Sequence, residues 1–399
     1  MRLLPFVLLC TLTACTSGQQ DLVLPLPLPV ETPAASGSLH PFAASWGDSI
    51  LLSWTEAVDG GHALRFAVWD GNGWSAPGTV TSGPNWFVNW ADFPSVAAVG
   101  GAGLVAHWLQ RSGPGRYAYD VVLSGSSDAG RTWSAPVRPH RDGTETEHGF
   151  VSIFPHGDGA GVIWLDGRQY AAGPHGPATN EMGLRFTTWS AAGLGPETLL
   201  DDRVCDCCQT AVAQTGRGPI AVYRGRTDDE VRDIGVVRFV DGAWSEPRFV
   251  HSDGWTINAC PVNGPAVDAH GDNVTVAWFT AANDSPRVRL AFSADAGETF
   301  DPPLTIDDGH PVGRVDVLST GDGRTLVVWL ERVGDDAEIR GRLVSRDGAL
   351  GPSAPLATTT AGRASGFPRM ARRGSQVLLA WTEPGEESRV RSAVLNLGR

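Results

Sequence analysis

The sequence predicts an all-β fold, a β-propeller of seven four-stranded blades, and three observations predict it. The 399 residues hold 49 Gly and 28 Pro, which leaves little room for long helices. Seven short apolar runs end in an aromatic residue at spacings of 51 to 59 residues. Around each run lie further strand-like segments separated by Gly-rich turns, four per unit.

The composition narrows the partners. Charged residues make up 19 % of the chain, and all 31 basic residues are Arg. A net charge of −13 without a basic run argues against nucleic acid. Arg grips planar carboxylates through two parallel hydrogen bonds, so anionic ligands remain open.

The N-terminus reads Met1-Arg2, an apolar stretch from Leu3 to Leu12, then Thr13-Ala14-Cys15. A basic start, a short apolar core and a small residue at the cut site form a secretory signal. It resembles a bacterial lipoprotein signal whose Cys15 is acylated. The resemblance implies a signal peptide over 1–14, a lipid-anchored tether over 15–21 and a propeller over 22–399. The mature chain is then exported and lipid-anchored to the cell envelope, in the periplasm or at the outer membrane, with the membrane as one partner.

The landmark runs end at Trp54, Trp108, Trp164, Tyr223, Trp278, Trp329 and Trp381. Six units are complete, whereas the seventh stops after three strands. Its fourth strand is expected from Leu22 to Val30, where Pro25, Pro27 and Pro29 place their missing N–H groups on one outer edge. Leu24, Leu26 and Leu28 then pair inward and hide an otherwise open edge.

Two turns share a pattern, Ser126-Ser127-Asp128-Ala129-Gly130-Arg131-Thr132-Trp133 and Ser293-Ala294-Asp295-Ala296-Gly297-Glu298-Thr299-Phe300. Asp128 and Asp295 can accept turn amides, and each Gly supplies a positive φ. These turns resemble the Asp-boxes of sialidase-like (BNR-repeat) propellers. That resemblance implies a glycoside hydrolase of exo-α-sialidase type, with a Tyr nucleophile, its carboxylate partner and an Asp acid/base. It also places the boxes on the face away from the active site, as folding devices.

In a propeller, loops after each second strand and loops entering each first strand share one face around the channel. Arg168, Arg224 and Arg314 fall there as a candidate carboxylate clamp, and Trp86, Trp90 and Trp255 as candidate stacking platforms. Glycoside hydrolysis needs two carboxyl groups or a Tyr activated by one. Asp166, Tyr170, Glu230, Asp253 and Glu331 are the catalytic candidates on this face, while Tyr223 reads as core because it replaces a landmark Trp. The ligand expected here is an anionic or other glycan, or a small carboxylated molecule.

Cysteines give the sharpest local signal. Cys205-Asp206-Cys207-Cys208 enters blade 4, and Cys260 enters blade 5. Cys205 and Cys260 each lie 18 residues before their landmark aromatic, so they occupy equivalent places in adjacent blades. Disulfides are allowed in an exported chain. A soft-metal site for copper or zinc, with His148 or His251, is the alternative, although no cofactor is required by the fold. Three activities stay open on the residues: an exo-glycosidase, a non-catalytic glycan- or protein-binding propeller, and a periplasmic metal- or redox-linked protein.

Overall fold

Each landmark run forms the second strand of an antiparallel sheet, because its apolar residues are β-formers bounded by Gly turns that reverse the chain. The computed structural model describes residues 22–172 and 178–398; Cys15 and the leader lie outside the described residues. Seven sheets surround one axis as a β-propeller. Blade 1 is typical, with strands Ser38–Trp46, Ser49–Val58, Gly61–Trp69 and Gly78–Gly83 in that order. The first strands of all seven blades line a central cavity of about 320 Å³.

Outer strands are short because Pro interrupts them. In blade 2 only Ser95–Gly100, Gly103–Arg111 and Tyr119–Ser126 form regular strands, and the outermost segment keeps a single bridge between Leu123 and Val137, next to Pro136. Blade 7 is closed by the N-terminal strand, with Leu28 opposite Val394, Pro29 opposite Ala393 and Val30 opposite Ser392.

The closure is shorter than the alternation of Leu and Pro predicts. Leu26 is 86 % exposed, and Leu22 and Leu24 leave the sheet edge to enter the core between blades 6 and 7, packing with Leu343, Leu356 and Leu395. Burying two leucines gains more than extending a ladder that alternate prolines interrupt.

The two Ser-x-Asp-x-Gly-x-Thr turns have the same internal network. Asp128 Oδ1 accepts Ser126 Oγ at 2.8 Å and the Thr132 amide at 2.9 Å, and Oδ2 accepts Thr132 Oγ1 at 2.7 Å. Asp295 repeats these contacts with Ser293 and Thr299 at 2.6 to 2.9 Å. These hydrogen bonds hold the Asp128 carboxyl at about 2. Gly130 and Gly297 have φ of +80° and +79°, and a Cβ there would meet Phe66 or Ile220 of the preceding blade. The turns therefore fix both the chain reversal and the distance between blades.

Most blades also enter the first strand through a left-handed residue: His40, Phe150, Val262 and Arg314 have φ of +48° to +59°, and Gly366 has +59°. In blades 1 and 6 this coincides with a break in ladder register, a bulge that aims the preceding loop across the channel mouth.

The N-terminal leucines carry a direct test. Leu24→Ala is expected to cost about 2–4 kcal/mol in urea unfolding, as for a buried leucine. Leu26→Ala, at an exposed position in the same segment, is expected to change stability by less than about 0.5 kcal/mol.

Candidate functional site

The landmark aromatics bury polar edges that need partners, and the partners are the carboxylates the sequence offers for catalysis. Trp164 Nε1 donates to Asp166 Oδ2 at 2.8 Å, Trp329 Nε1 to Glu331 Oε2 at 2.6 Å, and Trp278 Nε1 to Asp253 Oδ2 at 2.6 Å. Trp54 does the same with Glu56 at 2.9 Å, and the Tyr223 hydroxyl donates to Asp201 at 2.7 Å. Asp166, Asp253 and Glu331, the catalytic candidates of the sequence, thus each accept a hydrogen bond from a landmark indole. Their place two residues after a landmark Trp, seen for Asp166 and Glu331, was the signal for this role.

Glu230 is gripped from two sides, by Arg226 Nη2 at 2.7 Å and Arg232 Nη2 at 2.6 Å. Hydrogen bonds from Arg226 and then Arg232 hold it at about 2. It stays ionised at neutral pH and cannot serve as an acid. Tyr170 is partly buried against the core between blades 3 and 4, its hydroxyl without a hydrogen-bond partner among the described residues. Burial, and then the charges of Asp206 and Glu147, push that hydroxyl well up.

The three candidate clamp arginines do not converge, because each is consumed locally. Arg168 donates to Asp166 at 2.6 Å and to Glu197 at 2.7 Å. Arg224, 1 % exposed, donates to the carbonyls of Asn263, Phe279 and Arg232. Arg314 donates to the carbonyls of Gly362 and Gly366 and to Ser365 Oγ, stapling blade 6 to blade 7. The stacking candidates are covered as well. Arg224 lies 4.9 Å over Trp255, Arg314 lies 4.8 Å over Trp90, and Trp86 stacks on Trp108 at 6.2 Å. Arg and Trp from this set recognise each other rather than a ligand.

Two clusters escaped the sequence reading. His140 and His148 stack at 3.8 Å amid Asp120, Asp142 and Asp166. Burial opposes the His148 charge, but the hydrogen bond His148 donates to Asp142 and the charge of Asp166 outweigh it and raise its pKa. His148 therefore belongs to an ionic network in blades 2 and 3, and no histidine joins the ligand groups formed by the cysteines among the described residues. The second cluster is the Tyr119 hydroxyl, which donates to Asp92 at 2.7 Å and contacts Glu147 at 3.0 Å. Burial drives Asp92 up to about 7 and Glu147 up to about 8. No spacing rule connects residues 92, 119 and 147, since the loops bringing them together come from different blades.

The cysteines do assemble. The Sγ atoms of Cys205, Cys207 and Cys208 lie within 4.8 Å of one another, and Cys260 joins Cys207 and Asp206 in a second group of the same size. None of the four is joined in a disulfide, although Cys205 Sγ and Cys208 Sγ approach to 2.6 Å.

An open groove of about 480 Å³ lies on the same face at the rim between blades 3 and 4. Arg203, Arg226, Asp201 and Asp228 line it, with the Phe249 ring 42 % exposed. Arg203 is a quarter exposed and pairs with Glu181 at 3.2 Å and with the exposed Asp228.

No family model and no curated protein matches this sequence. Solved structures do resemble it in fold. An endosialidase of phage phi92 aligns with 95 % of this chain and 70 % of its own, at 11 % identity and a TM-score of 0.53. The polysaccharide lyase Uly1 aligns with 94 % of this chain and 100 % of its own, at 9 % identity and a TM-score of 0.52. At such identities the likeness shows a shared β-propeller fold.

The Asp92–Tyr119–Glu147 cluster gives a pH prediction. Both carboxyls hold their protons in the folded chain and release them near pH 4 once unfolded. Between about pH 4 and 8 the folded state binds more protons, so their contribution to stability is lost as pH rises. The slope is up to about 1.4 kcal/mol per pH unit for each retained proton. His148, raised in the fold, adds to the loss as pH rises through its folded pKa. Asp92→Asn, which keeps an acceptor for the Phe150 amide, is expected to flatten the slope in urea melts from pH 5 to 8.

Proposed function

We propose that this chain is an exported, lipid-anchored propeller that binds anionic glycans at the rim groove between blades 3 and 4 without hydrolysing them. The observation that carries the reading is the groove itself. It joins an aromatic face, Phe249, to the guanidinium of Arg203, whose partner Asp228 is exposed and replaceable by a ligand carboxylate. An exposed ring beside polar groups suits the apolar face of a sugar, and the guanidinium suits a sialic or uronic acid.

Other features support the class of ligand. The two Asp-box turns resemble those of sialidase-like propellers, and two proteins of similar fold are named for an endosialidase and a polysaccharide lyase. The fate of the sequence's acid candidates supports binding without turnover: three accept indole N–H groups and Glu230 is held as an anion. Asp92 and Glu147, which keep their protons, are tied to the Tyr119 hydroxyl. The leader supports export, with 1–14 removed, Cys15 acylated, 15–21 as tether and 22–399 as one propeller domain.

Titration with sialylated and uronate-containing oligosaccharides is expected to show binding, while neutral counterparts bind at least about tenfold more weakly, as for a lost charge-assisted contact of 1.4 kcal/mol or more. Phe249→Ala and Arg203→Ala are each expected to weaken binding by a similar factor. Equal binding of neutral sugars overturns the anionic preference. Release of free sugar overturns the non-catalytic reading.

The anchor has its own readout. Cys15→Ser is expected to move the protein from the membrane fraction to the soluble exported fraction and to abolish acyl labelling. Unchanged membrane association overturns the anchor.

A further inference from the structure

We propose that the four cysteines at the mouth form a binding site for one thiophilic d¹⁰ cation, Cu(I) or Zn²⁺, shared between blades 4 and 5. No cysteine lines the glycan groove, although Arg203 of the groove lies two residues from Cys205, and the two proposals have separate tests.

The first argument is convergence. Cys205 Sγ lies 2.6 Å from Cys208 Sγ and 3.7 Å from Cys207 Sγ, so a four-residue segment folds three sulfurs onto one point. Two disulfides, Cys205–Cys208 and Cys207–Cys260, would use the same four sulfurs, and the test below separates them from a cation. A single cation gathers the sulfurs of both loops, and sulfur ligands select Cu(I) or zinc over hard ions.

A second, independent group points to the same place. Cys260 closes on Cys207 from the loop that enters blade 5, its Sγ 3.4 Å from Oδ1 of Asp206 on the blade-4 loop. The site is therefore completed by a neighbouring blade.

Both loops are held by contacts that do not involve sulfur. The Cys205 amide donates to the Arg224 carbonyl at 2.9 Å. Gln209, just after Cys208, donates to the Ala91 carbonyl at 2.6 Å and accepts the Gly264 amide at 3.1 Å. A Cβ on Gly264 would stand 2.2 Å from the Gln209 carbonyl oxygen, so only Gly lets the two loops meet. Val262 is held at φ +48°, a rare conformation for a β-branched residue.

Charge and access fit as well. Arg224 and Arg232, both almost fully buried, set positive charge against Cys208 and Cys205. Three thiolates and Cu(I) carry a net charge of two minus, as do four thiolates and Zn²⁺, and Arg224, whose guanidinium meets only neutral carbonyls, offsets part of it. Cys205 and Cys208 are buried, Cys207 is half-buried and Cys260 is exposed, which gives an ion a route from solvent to the inner sulfurs. Each thiol that ligates releases its proton to water.

The test uses the intact exported chain, purified reduced under anaerobic conditions and loaded with Cu(I) or Zn²⁺ in separate arms against a chromophoric chelator. One equivalent of one ion per chain is expected to survive desalting, and the arm that retains it names the metal. Cys205→Ser and Cys208→Ser are each expected to weaken retention by at least about 100-fold, beyond what an outer-shell partner contributes. Cys260→Ser is expected to weaken it by about tenfold. Because these variants can misfold, maleimide labelling of the wild-type chain gives a second readout: the loaded ion protects Cys205, Cys207 and Cys208, and a chelator restores labelling. Retention of neither ion, equal retention by the Cys205/Cys207/Cys208→Ser triple variant, unprotected labelling, or an exported chain carrying two disulfides and no metal each overturns the proposal.

Discussion

A buried aromatic with a polar edge gains from a hydrogen-bond partner away from water, and five of the seven landmark aromatics have a carboxylate there. Trp381 Nε1, by contrast, has no partner among the described residues. Leaving an indole N–H unpaired in the interior costs about 1–3 kcal/mol, a large share of a domain's net stability. The chain meets the demand with carboxylates at Glu56, Asp166, Asp253 and Glu331, and with Asp201 for Tyr223. The polar residues ringing the mouth are largely there to let aromatics occupy the blade centres. A carboxylate held by an indole and buried beneath a loop has neither the protonation freedom nor the access that acid/base chemistry requires.

A second constraint comes from the joins between blades. Adjacent sheets meet face to face, so their backbones do not ladder and polar side chains reach across instead. Asp268 accepts the Ser319 amide at 2.6 Å, Asp316 accepts the Met370 amide at 2.7 Å, and Ser45 Oγ donates to the Arg372 carbonyl at 2.8 Å. Arg224 and Arg314 extend this work at the mouth, each capturing several carbonyls from loops that would otherwise leave them unsatisfied in the interior. Their flat guanidiniums then cover Trp255 and Trp90, so Arg and Trp are withdrawn from ligand binding together.

What remains for recognition lies where side chains keep access to solvent. The rim groove is lined in part by the Tyr223–Asp201 pair, with Phe249 exposed and Arg203 a quarter exposed beside it. The sulfur cluster sits on the loops that enter the first strands, where left-handed residues turn the chain over the mouth. Loops held at both ends by a rigid sheet can bring together groups from separate blades, and such positions commonly carry binding chemistry.

The sequence by itself determined the architecture: seven blades, the two Asp-centred turns and an N-terminal strand closing the last blade. These follow from short-range rules, since strand periodicity and turn chemistry depend on residues a few positions apart. It also brought out the cysteines, because equal offsets from Tyr223 and Trp278 put Cys205 and Cys260 in matching places. Only the tertiary structure decided which polar residues are free. Arg224 meets Asn263 and Phe279, Arg314 meets Gly362 and Gly366, and Trp278 meets Asp253, all 25 to 55 positions away. Asp92, Tyr119 and Glu147 likewise meet only when blades 2 and 3 pack. The identity of a residue announces what it can bond, but its partner is chosen by packing between blades, and that choice separates a binding group from a structural one.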